Sequence, residues 1–337
     1  MTTTELPLLN VRGLTITFPT PVGRLAANRS VSLAVAGGET LGVVGESGSG
    51  KSVLCRALLG LVSAPPARIE AEEISFDGRD LLAMPPREMR ALRGQEISMI
   101  FQNPMSSLNP VRPIGEQVYE GLRIHQRISR AAAREAAVEA LRRVGIPSPE
   151  IRVDDYPHQW SGGMAQRAVI AMAMIGKPKL LLADEPTTAL DVTIQDQILA
   201  LLVEIQRETQ TAIILVSHDM SVISETCDQV MVMYAGHVVE AAPTRRIFES
   251  SAHPYTLGLL GSIPSAEGGS GALTPIPGQP PDLSDLPSGC PFAPRCPVAS
   301  AECGQRQIAL RAVGDGHMSA CLFPERASTI RRKAAAS

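Results

Sequence analysis

The chain has 337 residues, of which 44% are hydrophobic, and its 31 basic residues nearly balance its 34 acidic ones. This composition is that of an ordinary globular protein with one large domain, or with one domain and an appendage. A net charge of -3 and an aromatic content of 3% argue against a nucleic-acid partner, because such partners call for basic surfaces and stacking rings.

The amino terminus and the hydropathy of the chain bear on its location. Residues 1–7 lack the basic start and apolar core of a signal peptide. No apolar run reaches the roughly 18 residues that span a bilayer. We therefore expect a cytoplasmic chain whose access to a membrane depends on a partner.

Strand-like and helix-like segments alternate from residue 1 to about residue 262, which predicts an α/β fold. In chain order, the expected elements are strands at Leu8–Phe18, Val31–Val35 and Thr40–Val44, helices at Ser52–Val62 and Ser129–Val144, and strands at Leu180–Ala183 and Ala212–Val216. Ser129 is a suitable N-cap for the second helix. Residues 264–289 are rich in Pro, Gly and Ser and are predicted to form a linker.

A glycine-rich segment between a predicted strand and a predicted helix matches the pattern G-x-x-x-x-G-K-S. Such a loop turns its backbone N–H groups around phosphate oxygens, and the helix dipole assists it. Lys51 is expected to reach the β- and γ-phosphates, and the Ser52 hydroxyl to ligate Mg²⁺. The segment predicts a nucleoside triphosphate site, although a glycine-rich turn that binds nothing is the alternative. Its residues are Gly45, Glu46, Ser47, Gly48, Ser49, Gly50, Lys51 and Ser52.

Two carboxylates follow the apolar run that begins at Leu180. A buried strand would deliver Asp184 to the Mg²⁺ ion. Glu185 would then lie where a general base can polarise a water beside the γ-phosphate. The alternative is a strand that ends in solvated acids.

A second anion site is predicted at Ser161-Gly162-Gly163, which precedes a predicted helix. A helix-capping turn would have the same composition. The segment Trp160–Met164 resembles the signature motif L-S-G-G-Q of ABC ATPases, with Trp160 and Met164 as departures. In that family the motif binds the γ-phosphate held by the opposite subunit.

The other ABC markers follow in the family's order. Gln102 resembles the Q-loop glutamine, which contacts Mg²⁺ and water. Ala189-Leu190-Asp191 resembles the D-loop, and His218 resembles the switch histidine that contacts the γ-phosphate. Phe18 resembles the aromatic residue that stacks on adenine. The resemblance assigns catalysis to Glu185, His218 and Gln102, and Mg²⁺ to Ser52, Gln102 and Asp184.

This resemblance implies a P-loop NTPase of the ABC type, with an ATPase domain over residues 1–262. A RecA-like lobe would carry the phosphate loop, and a helical lobe over about residues 103–175 would carry the signature. It also implies a head-to-tail dimer in which each ATP lies between one phosphate loop and the other subunit's signature and Asp191.

Three narrower stretches resemble the ATPases of dipeptide, oligopeptide and nickel importers: Gln102–Pro110, His253–Thr256 and Gly289–Cys296. They imply an importer subunit on the cytoplasmic face of the inner membrane, with a C-terminal region over residues 263–337. The expected partners are two permeases, a solute-binding protein and a second ATPase, identical or paralogous. Nickel, an exporter and a soluble ABC ATPase acting on DNA or ribosomes are the alternatives, and the sequence does not name the solute.

Four of the six cysteines lie in the C-terminal region, at Cys290, Cys296, Cys303 and Cys321, with gaps of five, six and seventeen residues. Disulfides are not expected in a cytoplasmic chain, so the cluster suggests metal. The gaps are wider than in most zinc sites and suit a [4Fe–4S] cluster, which some members of the resembled family carry there. Zinc and free thiols remain alternatives. Cys55 and Cys227 are expected in the core.

Overall fold

A computed structural model describes residues 6–21, 23–188, 191–262, 276–305, 307–327 and 330. The first part of the predicted linker, residues 264–275, therefore lies outside the described residues. The fold divides into two compact units, each discontinuous in sequence. The first unit consists mainly of Leu81–Val216, and the second combines Leu9–Ala34 and Thr40–Asp80 with the part of the chain after Val216.

The secondary structure alternates strands and helices along the chain. The strands are β1 (Leu9–Thr20), β2 (Gly23–Val35), β3 (Thr40–Val44), β4 (Arg68–Glu70), β5 (Glu73–Phe76), β6 (Arg79–Asp80), β7 (Ile97–Ile100), β8 (Leu180–Asp184), β9 (Ala212–Ser217), β10 (Gln229–Tyr234), β11 (His237–Pro243), β12 (Arg311–Gly314) and β13 (His317–Ser319). The α-helices are α1 (Lys51–Leu58), α2 (Pro86–Leu92), α3 (Pro104–Ser107), α4 (Ile114–His125), α5 (Arg130–Arg143), α6 (Pro149–Arg152), α7 (Gly162–Met174), α8 (Val192–Thr209), α9 (Met220–Thr226), α10 (Thr244–Ser250) and α11 (Pro254–Leu260).

Parallel strands form the sheet of the first unit, where β8 lies between β7 and β9. Leu180 pairs with Ile97 on one side and with Ala212 on the other. Every residue of β8 and β9 is buried. A continuous apolar run is what a parallel strand with both faces covered requires, so the predicted strands at 180 and 212 are confirmed.

Helices α4, α5 and α7 pack against one another in the first unit. Helix α5 begins where the sequence predicted, because the Ser129 hydroxyl accepts a hydrogen bond from the backbone N–H of Ala132 at 3.2 Å. Its buried side chains, at Ala133, Ala137 and Leu141, recur at the helical period. The predicted helix at Ser129–Val144 is confirmed.

The second unit contains an antiparallel sheet in the order β2-β1-β5-β6, with β4 on β1. Its other strands follow the order β12-β13-β11-β10-β3, in which β3 and β10 are parallel. All five residues of β3 are buried, as its apolar sequence predicts. Among the described residues, no helix has both the length and the apolar character needed to cross a bilayer.

A buried carboxylate ties the C-terminal strands to the rest of the second unit. Glu240 on β11 is fully buried, and its carboxylate accepts hydrogen bonds from the backbone N–H groups of Ala252 and His253. The same carboxylate lies 2.7 Å from His317 Nε2 on β13. A buried carboxylate needs such partners, so these contacts fix β13 beside β11.

The neighbouring His253 predicts acid sensitivity. Its Nδ1 accepts a hydrogen bond from the backbone N–H of Tyr255 at 3.1 Å, so the neutral ring caps α11. Burial lowers the pKa of His253 to about 4, below the value near 6.5 of an unfolded histidine. Between these values the unfolded chain binds the extra proton, so the free energy of unfolding should fall by about 2 to 3 kcal/mol from pH 6.5 to pH 4.

Urea unfolding at a series of pH values tests this expectation. His253→Asn keeps a cap that does not titrate, and it should reduce the loss of stability over this pH window. Exposed His158, changed to Asn, is the matched control and should leave the slope unchanged. An unaltered slope in His253→Asn would contradict the account. Part of the slope should persist in any case, because burial also lowers the pKa of His237 to about 4.

Candidate functional site

The phosphate loop lies between β3 and α1, in the strand–loop–helix arrangement that its sequence pattern requires. Gly50, at φ 100, is the N-cap of α1. The helix ends at Leu58 and not at Val62 as predicted, because Gly60 adopts φ 59 and closes the helix with a hydrogen bond from its N–H to Ala57 O.

Two loop positions accept only glycine. A Cβ at Gly45 would lie 2.1 Å from the carbonyl oxygen of Met233, and one at Gly50 would lie 2.3 Å from that of Ala27. Both residues also have positive φ, at 154 and 100. The backbone therefore passes very close to its neighbours, and this close approach fixes the path of the loop.

Lys51 is directed into the loop. Its side chain is buried, and Nζ donates to the carbonyl oxygens of Gly45 at 2.7 Å and Glu46 at 3.0 Å. Nζ also lies 3.4 Å from the Ser49 hydroxyl. An ammonium group held at the centre of a glycine-rich loop at a helix N-terminus provides a positive environment for phosphate.

In the first unit, a second group of polar side chains gathers at the end of β8. Asp184 is the last residue of the strand and is 1% exposed. The carboxylate of Glu185 accepts hydrogen bonds from Gln102 Nε2 and from Thr188 Oγ1, both at 2.9 Å. Gln102 follows β7 and Glu185 follows β8, so parallel pairing of these strands brings together two residues 83 positions apart. Thr188 was not identified from the sequence, since a threonine after a strand carries no distinctive pattern.

Glu185 has an unusual backbone conformation. Its φ is 48, in the left-handed region that few non-glycine residues adopt. Its N–H donates to the carbonyl oxygen of Val216 at 3.0 Å, which holds the residue in this conformation. Such strain is often found where a side chain must be directed to a functional position.

The signature segment lies at the start of α7. The Ser161 hydroxyl accepts a hydrogen bond from the backbone N–H of Met164 at 3.3 Å, so the residue is an N-cap. Ser161 and Gly162 are exposed, whereas Trp160 is 7% exposed and donates from Nε1 to Asp155 at 3.0 Å. The departure at Trp160 is therefore accommodated as a buried anchor, and the small residues after it stay accessible.

Gly163 lies against the next predicted motif. A Cβ on this glycine would be 3.0 Å from Cγ2 of Ile194, one turn into α8. Asp191 caps that helix by accepting a hydrogen bond from the N–H of Ile194 at 3.0 Å. Ala189 and Leu190 of the predicted D-loop lie outside the described residues.

The two remaining predicted contacts lie in the second unit. His218 is exposed and directly follows β9. Phe18 is half-buried and lies in β1, which continues to Thr20 and does not end at Phe18 as predicted. Their ligand contacts stay predictions.

All four C-terminal cysteines line one small cavity of about 20 Å³, which also contains Phe292. The Cys290 N–H donates to the carbonyl oxygen of Cys303 at 2.7 Å, and burial raises the pKa of the Cys290 and Cys321 thiols to about 11. The cavity has room for about one water molecule. Over the described ranges, no group of three or more metal-ligating side chains is arranged to hold a metal ion. The cysteines gather around one cavity as the sequence suggested, and a cluster among them stays a prediction.

The other two cysteines lie in the core, as predicted. Cys55 is fully buried and Cys227 is 9% exposed. Burial raises the pKa of the Cys227 thiol to about 12, so it is an inert apolar side chain.

Two residues contact Glu46 of the phosphate loop in a way that the sequence did not predict. The Arg295 guanidinium pairs with the Glu46 carboxylate through two hydrogen bonds, at 2.6 and 2.9 Å. The Tyr255 hydroxyl accepts a hydrogen bond from the Glu46 N–H at 2.8 Å. Arg295 and Tyr255 lie in two of the stretches that resemble peptide-importer ATPases, Gly289–Cys296 and His253–Thr256. Their contacts with Glu46 could not be predicted, because no local sequence pattern pairs residues more than 200 positions apart.

Sequence comparison places the chain in a known family. Residues 28–188 match the family described as ABC transporter, and residues 239–303 match the oligopeptide/dipeptide transporter, C-terminal region. The chain is 48% identical over 317 residues to the oligopeptide transport ATP-binding protein OppD of Salmonella typhimurium, covering 94% of each chain. It is 47% identical over 314 residues to the dipeptide transport ATP-binding protein DppD of Bacillus subtilis, covering 93% of this chain and 94% of the relative.

Solved structures agree with this placement. The dimeric ATP-binding cassette MJ0796, in a post-hydrolysis state bound to ADP and phosphate, superposes with a TM-score of 0.63 at 27% identity. That match covers 70% of this chain and 99% of the cassette. The protein cbiO1 of Clostridium perfringens, part of an ABC transporter complex, has a TM-score of 0.61 at 28% identity over 72% of this chain and 91% of its own. The fold is thus the mixed α/β P-loop fold of the ABC ATPase cassette, and the chain belongs to the ABC transporter family, among the oligopeptide and dipeptide transport ATP-binding proteins.

Proposed function

We propose that this chain is the ATP-hydrolysing subunit of an ABC importer that takes up dipeptides or oligopeptides. The observation that carries the proposal is its 48% identity over 94% of its length to an oligopeptide transport ATP-binding protein. The match of residues 239–303 to the C-terminal region of oligopeptide and dipeptide transporters supports the same substrate class.

The phosphate loop of the second unit binds the triphosphate of ATP. Lys51 supplies a positive charge that favours the β- and γ-phosphates, and the loop N–H groups donate to phosphate oxygens. Nζ donates to the carbonyl oxygens of Gly45 and Glu46, so the ammonium group is directed into the loop. Phe18 stacks on the adenine ring, and His218 contacts the γ-phosphate.

Glu185 is the general base that activates the attacking water. Its carboxylate is oriented by Gln102 and Thr188, and this orientation supports the role because a base must be held in place to accept a proton. Ser52, Gln102 and Asp184 would hold Mg²⁺, and the buried carboxylate of Asp184 is a donor suited to such a hard cation. The ion would neutralise charge on the phosphates.

The functional unit is a head-to-tail dimer of ATPase subunits. Ser161, Gly162, Gly163 and Asp191 of one subunit act on the ATP of the other. The exposure of Ser161 and Gly162 supports this role, since a site that serves a second subunit must be accessible from outside. The partner ATPase is identical or paralogous.

The assembled complex contains two permeases and a solute-binding protein, and this subunit binds on the cytoplasmic face of the inner membrane. Purification of the tagged chain from detergent-solubilised membranes tests the proposal. We expect two permeases and a binding protein with a peptide-sized pocket among the copurifying proteins. A binding protein that holds nickel, or recovery of the chain with ribosomes and no permease, would contradict it.

The same proposal divides the chain into an ATPase domain and a cysteine-rich appendage. The ATPase domain covers residues 1–262, with its helical lobe over residues 103–175, and the appendage covers residues 263–337. The helices α3–α7, between residues 104 and 174, contact one another, which supports the lobe. The pairing of β13 with β11 supports an appendage that is attached to the cassette.

A [4Fe–4S] cluster at Cys290, Cys296, Cys303 and Cys321 stays a prediction, supported only by the gathering of these thiols around one cavity. Anaerobically purified protein should contain equal amounts of iron and acid-labile sulfide and absorb visible light. Protein without iron and without visible absorbance would contradict the prediction.

A further inference from the structure

The segment between Cys290 and Cys296 reaches the phosphate loop. A short 3₁₀ turn over Ala293–Arg295 carries Arg295, whose side chain is 7% exposed. Its guanidinium forms the two-pronged pair with the Glu46 carboxylate described above, at 2.6 and 2.9 Å. Planar two-pronged pairs of this kind are the geometrically most specific contacts of arginine.

The backbone N–H, the carbonyl oxygen and the carboxylate of Glu46 all form hydrogen bonds. Its N–H donates to the Tyr255 hydroxyl at 2.8 Å, and its carbonyl oxygen accepts from Lys51 Nζ at 3.0 Å. The same carbonyl accepts from the Ser49 N–H at 3.2 Å. With Arg295 on the carboxylate, the residue that begins the turn of the loop is fixed from three sides.

The pair between Arg295 and Glu46 also changes the charge of the phosphate loop. The loop must accept a highly anionic triphosphate, yet it carries a carboxylate at Glu46. The Glu46 side chain is only 25% exposed, so solvent screens its charge incompletely. The Arg295 guanidinium neutralises that charge, and without it Glu46 would repel the phosphates.

The segment that presents Arg295 is braced by aromatic packing. The ring of Phe292 lies 5.3 Å, between centroids, from the rings of both Tyr234 and Tyr255. Arg295 donates to the Tyr234 hydroxyl at 3.2 Å and to the carbonyl oxygen of Pro277 at 2.8 Å. The arginine is thus preorganised, and little side-chain entropy remains to be lost when the pair forms.

We propose that Arg295 is a positioning residue for the phosphate loop, through which the segment between Cys290 and Cys296 raises the affinity of the ATPase for ATP. The inference rests on the proposed function, in that the loop binds ATP. The segment between Cys290 and Cys296 is then part of the nucleotide site, because Arg295 holds Glu46 in place.

A double-mutant cycle on the full chain tests the proposal, with the dissociation constant of Mg-ATP as the readout. Arg295→Gln removes the charge and keeps a polar side chain. It should raise the dissociation constant about tenfold in the wild-type background and less than about twofold when Glu46 is also changed to Gln. Arg295→Lys keeps the positive charge but cannot form both hydrogen bonds of the guanidinium, so its dissociation constant should be intermediate.

Arg311, at the start of β12, provides a matched control from the same C-terminal region, residues 263–337. Arg311 donates to the carbonyl oxygens of Cys321 and Leu322 and does not contact the loop, so Arg311→Gln should bind ATP like the wild type. The proposal is overturned if Arg295→Gln binds ATP normally, or if it loses equal affinity in both Glu46 backgrounds, which would indicate general loosening. A wild-type chain that fails to bind ATP would reject the proposed function itself.

Discussion

Replacement of Glu185 by Gln is expected to lower ATP turnover by about 10²- to 10⁴-fold while ATP binding is retained. The amide has nearly the shape of the carboxylate and can still accept the hydrogen bonds from Gln102 and Thr188, so the local structure should persist. What is lost is the ability to take a proton from water. The variant should therefore accumulate as an ATP-bound closed dimer, visible by size-exclusion chromatography with nucleotide present.

Glu204→Gln on the exposed side of α8 is the matched control for this experiment. It removes the same charge from the same unit and should turn over ATP at the wild-type rate. Near-normal hydrolysis in Glu185→Gln would reject Glu185 as the base. A loss of ATP binding in that variant would instead assign the residue a structural role.

Replacement of Lys51 by Ala should weaken ATP binding by about 10- to 100-fold, the range expected when a charged hydrogen bond is lost. The side chain is 5% exposed and donates to the carbonyl oxygens of Gly45 and Glu46. Its removal therefore takes away both the charge that attracts phosphate and the contacts that shape the loop. Titration with a fluorescent ATP analogue measures the effect.

Lys177→Ala provides the comparison for Lys51. Lys177 is exposed and follows α7, so its loss changes the net charge equally without touching the loop. Wild-type affinity is expected for Lys177→Ala. If both variants lost affinity to the same degree, the effect would reflect overall charge, and the assignment of Lys51 to the phosphates would be wrong.

The elements that the sequence predicted well are those whose pattern is local. The apolar run Leu180–Ala183 predicted β8, and Ser129 predicted the start of α5, because burial and capping depend on adjacent residues. The glycine-rich loop was predicted from its spacing, and the close approach of Gly45 to Met233 shows why glycine stands there. The extents of β1 and α1 were less accurate, since strand pairing and a turn at Gly60 set them.

Contacts between distant residues could not be predicted in the same way. Arg295 and Glu46 lie 249 positions apart, and each is an ordinary charged residue in its own segment. The hydrogen bond between Gln102 and Glu185 depends on the parallel pairing of β7 and β8. For the cysteines, spacing predicted that they would gather but did not predict the size of the cavity between them.

The measurement that tests the central claim most directly is uptake of a labelled peptide by proteoliposomes that contain the assembled transporter, with the solute-binding protein outside and ATP inside. We expect uptake that requires ATP and that stops when Glu185 is changed to Gln in this subunit. Peptide uptake that continues with Glu185→Gln, or a transporter that moves nickel and no peptide, would contradict the account.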